Sequence, residues 1–299
     1  MFRKLTVIEP VNLVDRAAEE LKQYAGETAF YEDVPADEDE IVRRIGDSDA
    51  VLLSYTSQIS ARIFERCPKI RYVGMCCSLY SKESANVDIA WAEKHGVCVK
   101  GIRDYGDRGV VEFVLCELIR FLHGYDRPLW RQMPTEITGL KAGVVGLGVS
   151  GGMIAEALRF MGADVSYYSR TRKPEKEDGG IVYRDLHDLL RRCDAVFTCL
   201  NRNVLLLGKD EFRALGNGKL LFNTSIGPSF EPEDLEEWLD SGPNIFICDT
   251  KGALGDPALA GRAGVYCADR SAGRTSQSFE LLSRKVLDNI RKYFAETGE

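Results

Sequence analysis

Apolar residues follow two rhythms along this chain. Short, mostly apolar runs at 5–8, 50–53, 70–76 and 97–99, and then at 142–145, 165–168, 181–183, 195–199, 220–223, 245–248 and 265–267, read as buried strands. Between them apolar residues recur at helical spacing: 14–24, 38–45, 59–67 up to Pro68, 87–95 up to Gly96, 110–124, 186–192, 232–239 and 276–294. Strands alternating with helices imply parallel sheets covered on both faces, with ligands beyond the carboxyl ends of the strands. The fold expected is α/β, two doubly wound parallel-sheet domains of Rossmann-like and flavodoxin-like type. A polar, glycine-punctuated stretch at 100–109 reads as the link between them. The helix at 110–124 is apolar almost all round, so it needs cover on more than one side. Burial between domains or between subunits would supply it, and a homodimer is expected.

Residues 139–173 organise the rest. The run 142–145 meets Gly146-Leu147-Gly148-Val149-Ser150-Gly151, and Ile154, Ala157, Leu158 and Met161 then mark one helical face up to Gly162. This strand, G-x-G-x-x-G turn and helix form the context that a dinucleotide fingerprint requires. The first glycine permits the tight turn, the second lets a diphosphate approach the backbone, and the third lets helix pack on strand. The following strand ends in Ser169-Arg170-Thr171-Arg172-Lys173, without the carboxylate that takes a ribose 2′-hydroxyl in an NAD site. Guanidinium groups suit a 2′-phosphate. The coenzyme expected is therefore NADP(H), with NAD as the other possibility. Further along, Leu200, Asn201, Thr224, Ser225, Ile226 and Asp249 stand at strand ends where they can line the nucleotide.

Composition narrows the classes. The chain has 299 residues and a formal net charge of −7, which argues against a general nucleic-acid binder. The opening stretch runs directly into a strand, and no apolar run reaches membrane-spanning length, so neither a signal peptide nor a membrane contact is expected. Nine cysteines, without a C-x-x-C pair, fall mostly in apolar runs and read as thiols in a reducing, cytoplasmic compartment. No metal site is expected. Cys76 and Cys77 are adjacent in a strand, so one of them can face a cleft.

In these features the chain resembles the D-2-hydroxyacid dehydrogenase family over nearly its full length. The resemblance is carried by Asn86-Val87-Asp88, Val110-Val111-Glu112-Phe113, the glycine motif, Leu189-Leu190 with Asp194-Ala195-Val196, Asn223-Thr224 with Gly227, and Asp249. It implies a substrate domain made from both termini, here 1–104 plus 276–299, with the nucleotide domain, 105–275, inserted. It also implies an NAD(P)-dependent oxidoreductase moving hydride between nicotinamide and a small carbonyl or hydroxy compound. The family's catalytic set departs from this sequence. Ile226 stands where the family has its carboxylate-binding arginine. The histidine and glutamate positions fall near Asp269-Arg270-Ser271 and 251–256, which contain neither residue type. His95, His123 and His187 lie elsewhere and read as structural.

Hydride transfer to a carbonyl leaves an alkoxide, which needs a proton and nearby positive charge. The replacement candidates are Arg270 or Arg202 for an anionic substrate group. Lys251 or Tyr105 is the candidate proton donor, Lys251 only if burial depresses its pKa. Ser78, Tyr80 and Arg103 are candidates for substrate contact. A catalytically inactive dinucleotide-binding sensor or scaffold on the same fold is the alternative reading.

Overall fold

The computed structural model describes every residue except 84, 203 and 299. The chain forms two compact units, Met1–Tyr105 with Thr275–Glu299, and Gly106–Arg274. In chain order the first contains β1 (Phe2–Val7), α1 (Asp15–Leu21), β2 (Ala25–Phe30), α2 (Glu38–Ile45), β3 (Ala50–Leu53), α3 (Ala61–Arg66), β4 (Tyr72–Ser78), α4 (Ile89–Lys94) and β5 (Cys98–Ile102). The second contains α5 (Asp107–His123), β6 (Lys141–Val145), α6 (Val149–Phe160), β7 (Asp164–Tyr168), α7 (Pro174–Glu177), β8 (Val182–Tyr183), α8 (Leu186–Arg192) and β9 (Ala195–Thr198). It continues with α9 (Lys209–Leu215), β10 (Leu220–Asn223), α10 (Pro232–Asp240), β11 (Ile245–Cys248) and β12 (Val265–Cys267). The last helix, α11 (Ser276–Thr297), returns to the first unit.

All registered strand pairs are parallel. The first sheet runs β2-β1-β3-β4-β5, the flavodoxin-like order. The second runs β12-β11-β10-β9-β6-β7-β8, which is the Rossmann order with one further edge strand. Both are therefore doubly wound, and the packing shows why their strands carry mostly apolar runs. In β3, Ala50 and Leu52 pack with Leu282, Val286 and Ile290 of α11, whereas Val51 and Leu53 pack with Ile41, Ile63 and Phe64 on the other face. In β10, Leu220 and Phe222 join one core cluster and Leu221 the opposite one. With both faces buried, alternation disappears from the sequence.

Several elements depart from the pattern. Edge strand β2 was not legible because its Ala-Gly-Glu-Thr-Ala-Phe has only one buried residue, Ala25. Helices α7 and α9 and the 3-10 turns Lys251–Leu254 and Pro257–Gly261 are also additional. The link is shorter than 100–109: β5 runs to Ile102 and α5 starts at Asp107. Gly101 lies within that strand, and Leu79 packs against it, 2.2 Å from where a Cβ would stand. Cys76 and Cys77 do alternate, but both are buried, in opposite core clusters, so neither lines a cleft.

The three histidines have local partners: His95 stacks on Trp91, His123 on Tyr125, and His187 pairs with Glu211 at 2.8 Å. On α5, Val114, Leu118, Phe121 and Leu122 are buried, while Glu112 and Cys116 are exposed. None of the nine cysteines forms a disulfide. Among the described residues no helix is long and apolar enough to cross a membrane.

The Phe222 ring is fully buried and stacks on Phe197, with centroids 4.8 Å apart. Phe222→Ala is expected to cost about 3–5 kcal/mol, seen by calorimetry of the full chain as a fall in the transition of the Gly106–Arg274 unit. A loss below about 1 kcal/mol would show that this core relaxes around the void.

Candidate functional site

The strand order of the second unit reverses between β6 and β9, the switch point at which doubly wound sheets bind ligands. The glycine turn sits there. Gly146 has φ +97°, and a Cβ on it would stand 2.4 Å from the Cys199 carbonyl oxygen, so only glycine fits. A Cβ on Gly151 would stand 2.0 Å from the Gly146 oxygen, because the first turn of α6 packs directly on the loop. A Cβ on Gly148 meets nothing within 4 Å. Its empty side is the cradle that a diphosphate would fill. Gly148 is the N-cap of α6, and Gly152 N–H is already bonded back to the Gly148 carbonyl at 2.9 Å. The amides up to Gly151 precede that bond and stand at the positive end of the helix. The backbone of Val149, Ser150 and Gly151 thus fits a bound phosphate. The Ser150 hydroxyl is already given to the Asp107 carboxylate, and the Val149 side chain is exposed.

The neighbouring strand ends are tied to one another. Buried Asn223 is the centre: its Nδ2 donates to the Ala253 and Gly227 carbonyls at 2.9 and 3.1 Å. Its Oδ1 accepts from Thr198 Oγ1, Ser229 Oγ and Ser225 N–H at 2.9, 3.0 and 3.2 Å. Ser225 Oγ in turn accepts the Leu200 N–H at 2.9 Å. Leu200, Thr224 and Ser225 are therefore held on one rim, and Asn201 and Ile226 project from it exposed, Ile226 by 62%. Ser225 and Asp249, expected to face the nucleotide, are instead buried as loop anchors. The Asp249 carboxylate accepts the Ala272 N–H at 2.9 Å, and the Arg270 N–H donates to the Asp249 carbonyl at 2.7 Å. Burial pushes the Asp249 carboxyl above its usual pKa.

The candidate catalytic groups separate clearly. Lys251 pairs with Asp269 at 2.6 Å, and that hydrogen bond pushes its ammonium up. A depressed pKa was the condition for Lys251 to give a proton, and it is not met. Arg270 and Arg202 are exposed and have no side-chain partner among the described residues. Asp269, beside Arg270, adopts φ +51°, which turns the chain sharply after β12.

In the first unit Tyr105 is half-buried; burial pushes its phenol up, with a hydrogen bond to Ser78 acting the other way. Arg103 donates to the carbonyls of Leu79 and Tyr80 and lies over the Tyr80 ring, so its guanidinium is engaged in shaping that loop. Glu9, which no sequence signal marked, is fully buried and accepts the Ser54 N–H at 2.7 Å and the Ser57 hydroxyl at 2.6 Å. It fixes the loop at the switch point of the first sheet.

After β7, Arg170 is exposed without a side-chain partner among the described residues, and the Ser169 hydroxyl donates to the Thr171 carbonyl at 2.6 Å. Arg172 is not open in the same way: Glu177 takes its Nε at 2.7 Å. No group of three His, Cys, Asp or Glu among the described residues is arranged to hold a metal.

An open glycine cradle at the switch point of a Rossmann sheet defines a dinucleotide-binding protein, and the comparisons agree. Residues 120–249 match the model of the "D-isomer specific 2-hydroxyacid dehydrogenase, NAD binding domain". A hydroxypyruvate reductase of Blautia hydrogenotrophica is 25% identical over 280 residues, covering 86% of this chain and 85% of its own. A glyoxylate reductase of Korarchaeum cryptofilum is 22% identical over 299 residues, covering 92% and 89%. Among solved structures, an acyclic imino acid reductase in complex with NADPH and D-Arg superposes with a TM-score of 0.82 at 20% identity, over 98% of this chain and 97% of its own. The apo D-lactate dehydrogenase of Escherichia coli follows this fold with a TM-score of 0.78 at 20% identity, covering 99% and 97%. Residues 120–249 thus match the NAD-binding domain of the D-isomer specific 2-hydroxyacid dehydrogenases, and reductases similar to this chain align with it over most of its length.

The glycine turn separates packing from binding. Gly148→Ala is expected to lower Tm by no more than about 4 °C, the cost of a poorer cap, while weakening NADPH at least about tenfold. Gly151→Ala, which drives a methyl group into the loop, should lower Tm further than Gly148→Ala. Differential scanning fluorimetry and a fluorescence titration read both. Unchanged NADPH affinity in Gly148→Ala would show that the cradle is not the phosphate site.

Proposed function

We propose that this chain is an NADP(H)-preferring reductase of small carbonyl compounds that bear an anionic group. An NAD(P)-dependent oxidoreductase is the class that its family and its hydroxypyruvate- and glyoxylate-reductase relatives carry. The single observation behind the finer reading is the free guanidinium of Arg270, on a loop that Asp249 anchors through Ala272. Bound coenzyme supplies the hydride.

In this proposal Arg270 holds the anionic group of the substrate, with Arg202 as the second cation of the same sheet edge. The role that the family gives to an arginine at Ile226 thus passes to another strand end. Positive charge near the developing alkoxide lowers its energy. The proton donor is Tyr105. Its pKa is raised by burial, so the phenol stays protonated at neutral pH, and an alkoxide is far more basic than a phenolate. Ser78, hydrogen-bonded to Tyr105, orients that hydroxyl, and Tyr80 and Arg103 shape the adjoining loop. The 2′-phosphate of NADP(H) is assigned to the 169–172 stretch. A homodimer in the cytoplasm completes the reading: Val111, Leu115 and Ile119 of α5 are only partly buried, and the cysteines form no disulfide.

The second reading, a coenzyme-binding sensor without turnover, is favoured by one observation, the exposed Ile226 at the family's carboxylate-binding position.

NADPH oxidation against a panel of 2-oxo acids, ketones and aldehydes separates the two. The reductase reading predicts turnover on an anionic carbonyl substrate. Arg270→Ala should raise KM at least about tenfold, the loss of one charge-assisted contact, and Tyr105→Phe should lower kcat by about a hundredfold. Saturable NADPH binding with no turnover on any member of the panel would establish the sensor instead. Full activity in Tyr105→Phe would remove Tyr105 as donor.

A further inference from the structure

The stretch that follows β7 is not an open basic loop but a folded clamp. Gly146 N–H donates to the Tyr168 carbonyl at 2.8 Å, so the stretch starts directly beside the glycine turn. The Tyr167 ring is fully buried, and its hydroxyl accepts the Lys173 N–H at 2.6 Å and donates to Glu177 Oε1 at 3.1 Å. Pro174 opens α7 and brings Glu177 back toward the strand end. There Glu177 takes Arg172 in a fork, Oε1 from Nε at 2.7 Å and Oε2 from Nη2 at 2.5 Å. The Arg172 guanidinium also lies over the Tyr183 ring, 5.4 Å from its centroid, and Tyr183 meets Tyr167 edge-on. Arg172 is thus fixed by a carboxylate on one edge and a ring on one face, and its side chain remains 62% exposed. Arg170, two residues earlier, keeps all its donors uncommitted among the described residues.

These two arginines are chemically different. A 2′-phosphate brought to Arg172 would meet the ionised Glu177 carboxylate at the same guanidinium, and the fork best suited to phosphate is already spent. What Arg172 still offers is a flat, cationic, immobilised face, the surface on which a purine ring stacks. Arg170 offers full charge and a free fork.

Resting on the NADP(H) reading above, we propose that the two arginines have separate tasks. Arg170 alone reads the 2′-phosphate, Arg172 is the stacking surface for the adenine ring, and Glu177 is the positioning residue that keeps Arg172 in that second role. Coenzyme selectivity is then a property of one arginine, and adenosine affinity, common to both coenzymes, a property of the other.

The test is the Kd of the full chain for NADPH and for NADH, by fluorescence titration, with Tm measured for each variant. Arg170→Ala should weaken NADPH about ten- to a hundredfold and leave NADH within about twofold. Arg172→Ala should weaken both coenzymes by a similar factor of about five. Arg172→Lys, which keeps the charge but not the plane, should behave like Arg172→Ala. Glu177→Gln should weaken NADH and free Arg172 toward the phosphate, so that the NADPH-over-NADH preference rises several-fold over the wild-type chain, a shift that a merely structural role would not give. A selective loss of NADPH in Arg172→Ala, full affinity in Arg172→Lys, or an unchanged preference in Glu177→Gln would each overturn the division of labour. Failure of the underlying reading looks different: the wild-type chain would show no preference for NADPH, and Arg170→Ala would not alter the ratio.

Discussion

The second unit depends on one close approach. Where its sheet changes direction, the Gly146 turn passes against the Cys199 carbonyl, and α6 starts so near that Gly151 lies on the Gly146 oxygen. A side chain at either place would push helix from strand, and the helix dipole would no longer point into the gap. Gly148, the middle glycine of the motif, is free of that constraint. Packing therefore explains Gly146 and Gly151, whereas Gly148 makes sense only through something that comes close to its backbone. That difference between glycines turns a common loop motif into a physical argument for a bound diphosphate.

Around this turn the same solution recurs at other strand ends. A parallel sheet leaves loop amides at its carboxyl edge that need acceptors. Glu9 satisfies Ser54 and Ser57 in the first unit, and Asn223 and Asp249 satisfy 225 and 272 in the second. These side chains are buried and spent on backbone, so they rigidify the rim rather than meet a ligand directly. Groups left uncommitted on such a rim, Arg202 and Arg270 among them, then stand out as available for chemistry. Lys251 does not belong with them, because Asp269 neutralises it.

The architecture was legible in the sequence because both sheets bury both faces. Mostly apolar runs between helical stripes admit few other arrangements, and the two strand orders follow the doubly wound rule. Edge strand β2 escaped because its largely uncovered side chains carry no hydrophobic signal. The site was legible only in part. The glycine spacing marked the cradle, and the absence of acid before Lys173 raised the question of the 2′-phosphate. Nothing in the residue pattern showed that Glu177 would return through a Pro174-started turn to hold Arg172, or that Ser150 would give its hydroxyl to Asp107. Those are contacts made by folding between residues whose spacing has no period. Glu9 illustrates the same limit: a carboxylate after a strand reads as solvent-facing until the neighbouring loop closes over it.

The proposed function depends on a coenzyme lying with its diphosphate against the amides at 148–151. Isothermal titration of the purified chain with NADPH measures this directly. A saturable heat with one site per chain, weakened at least about tenfold in Gly148→Ala while the fold persists, is the predicted result. No saturable binding of NADPH or NADH to a correctly folded chain would contradict the account.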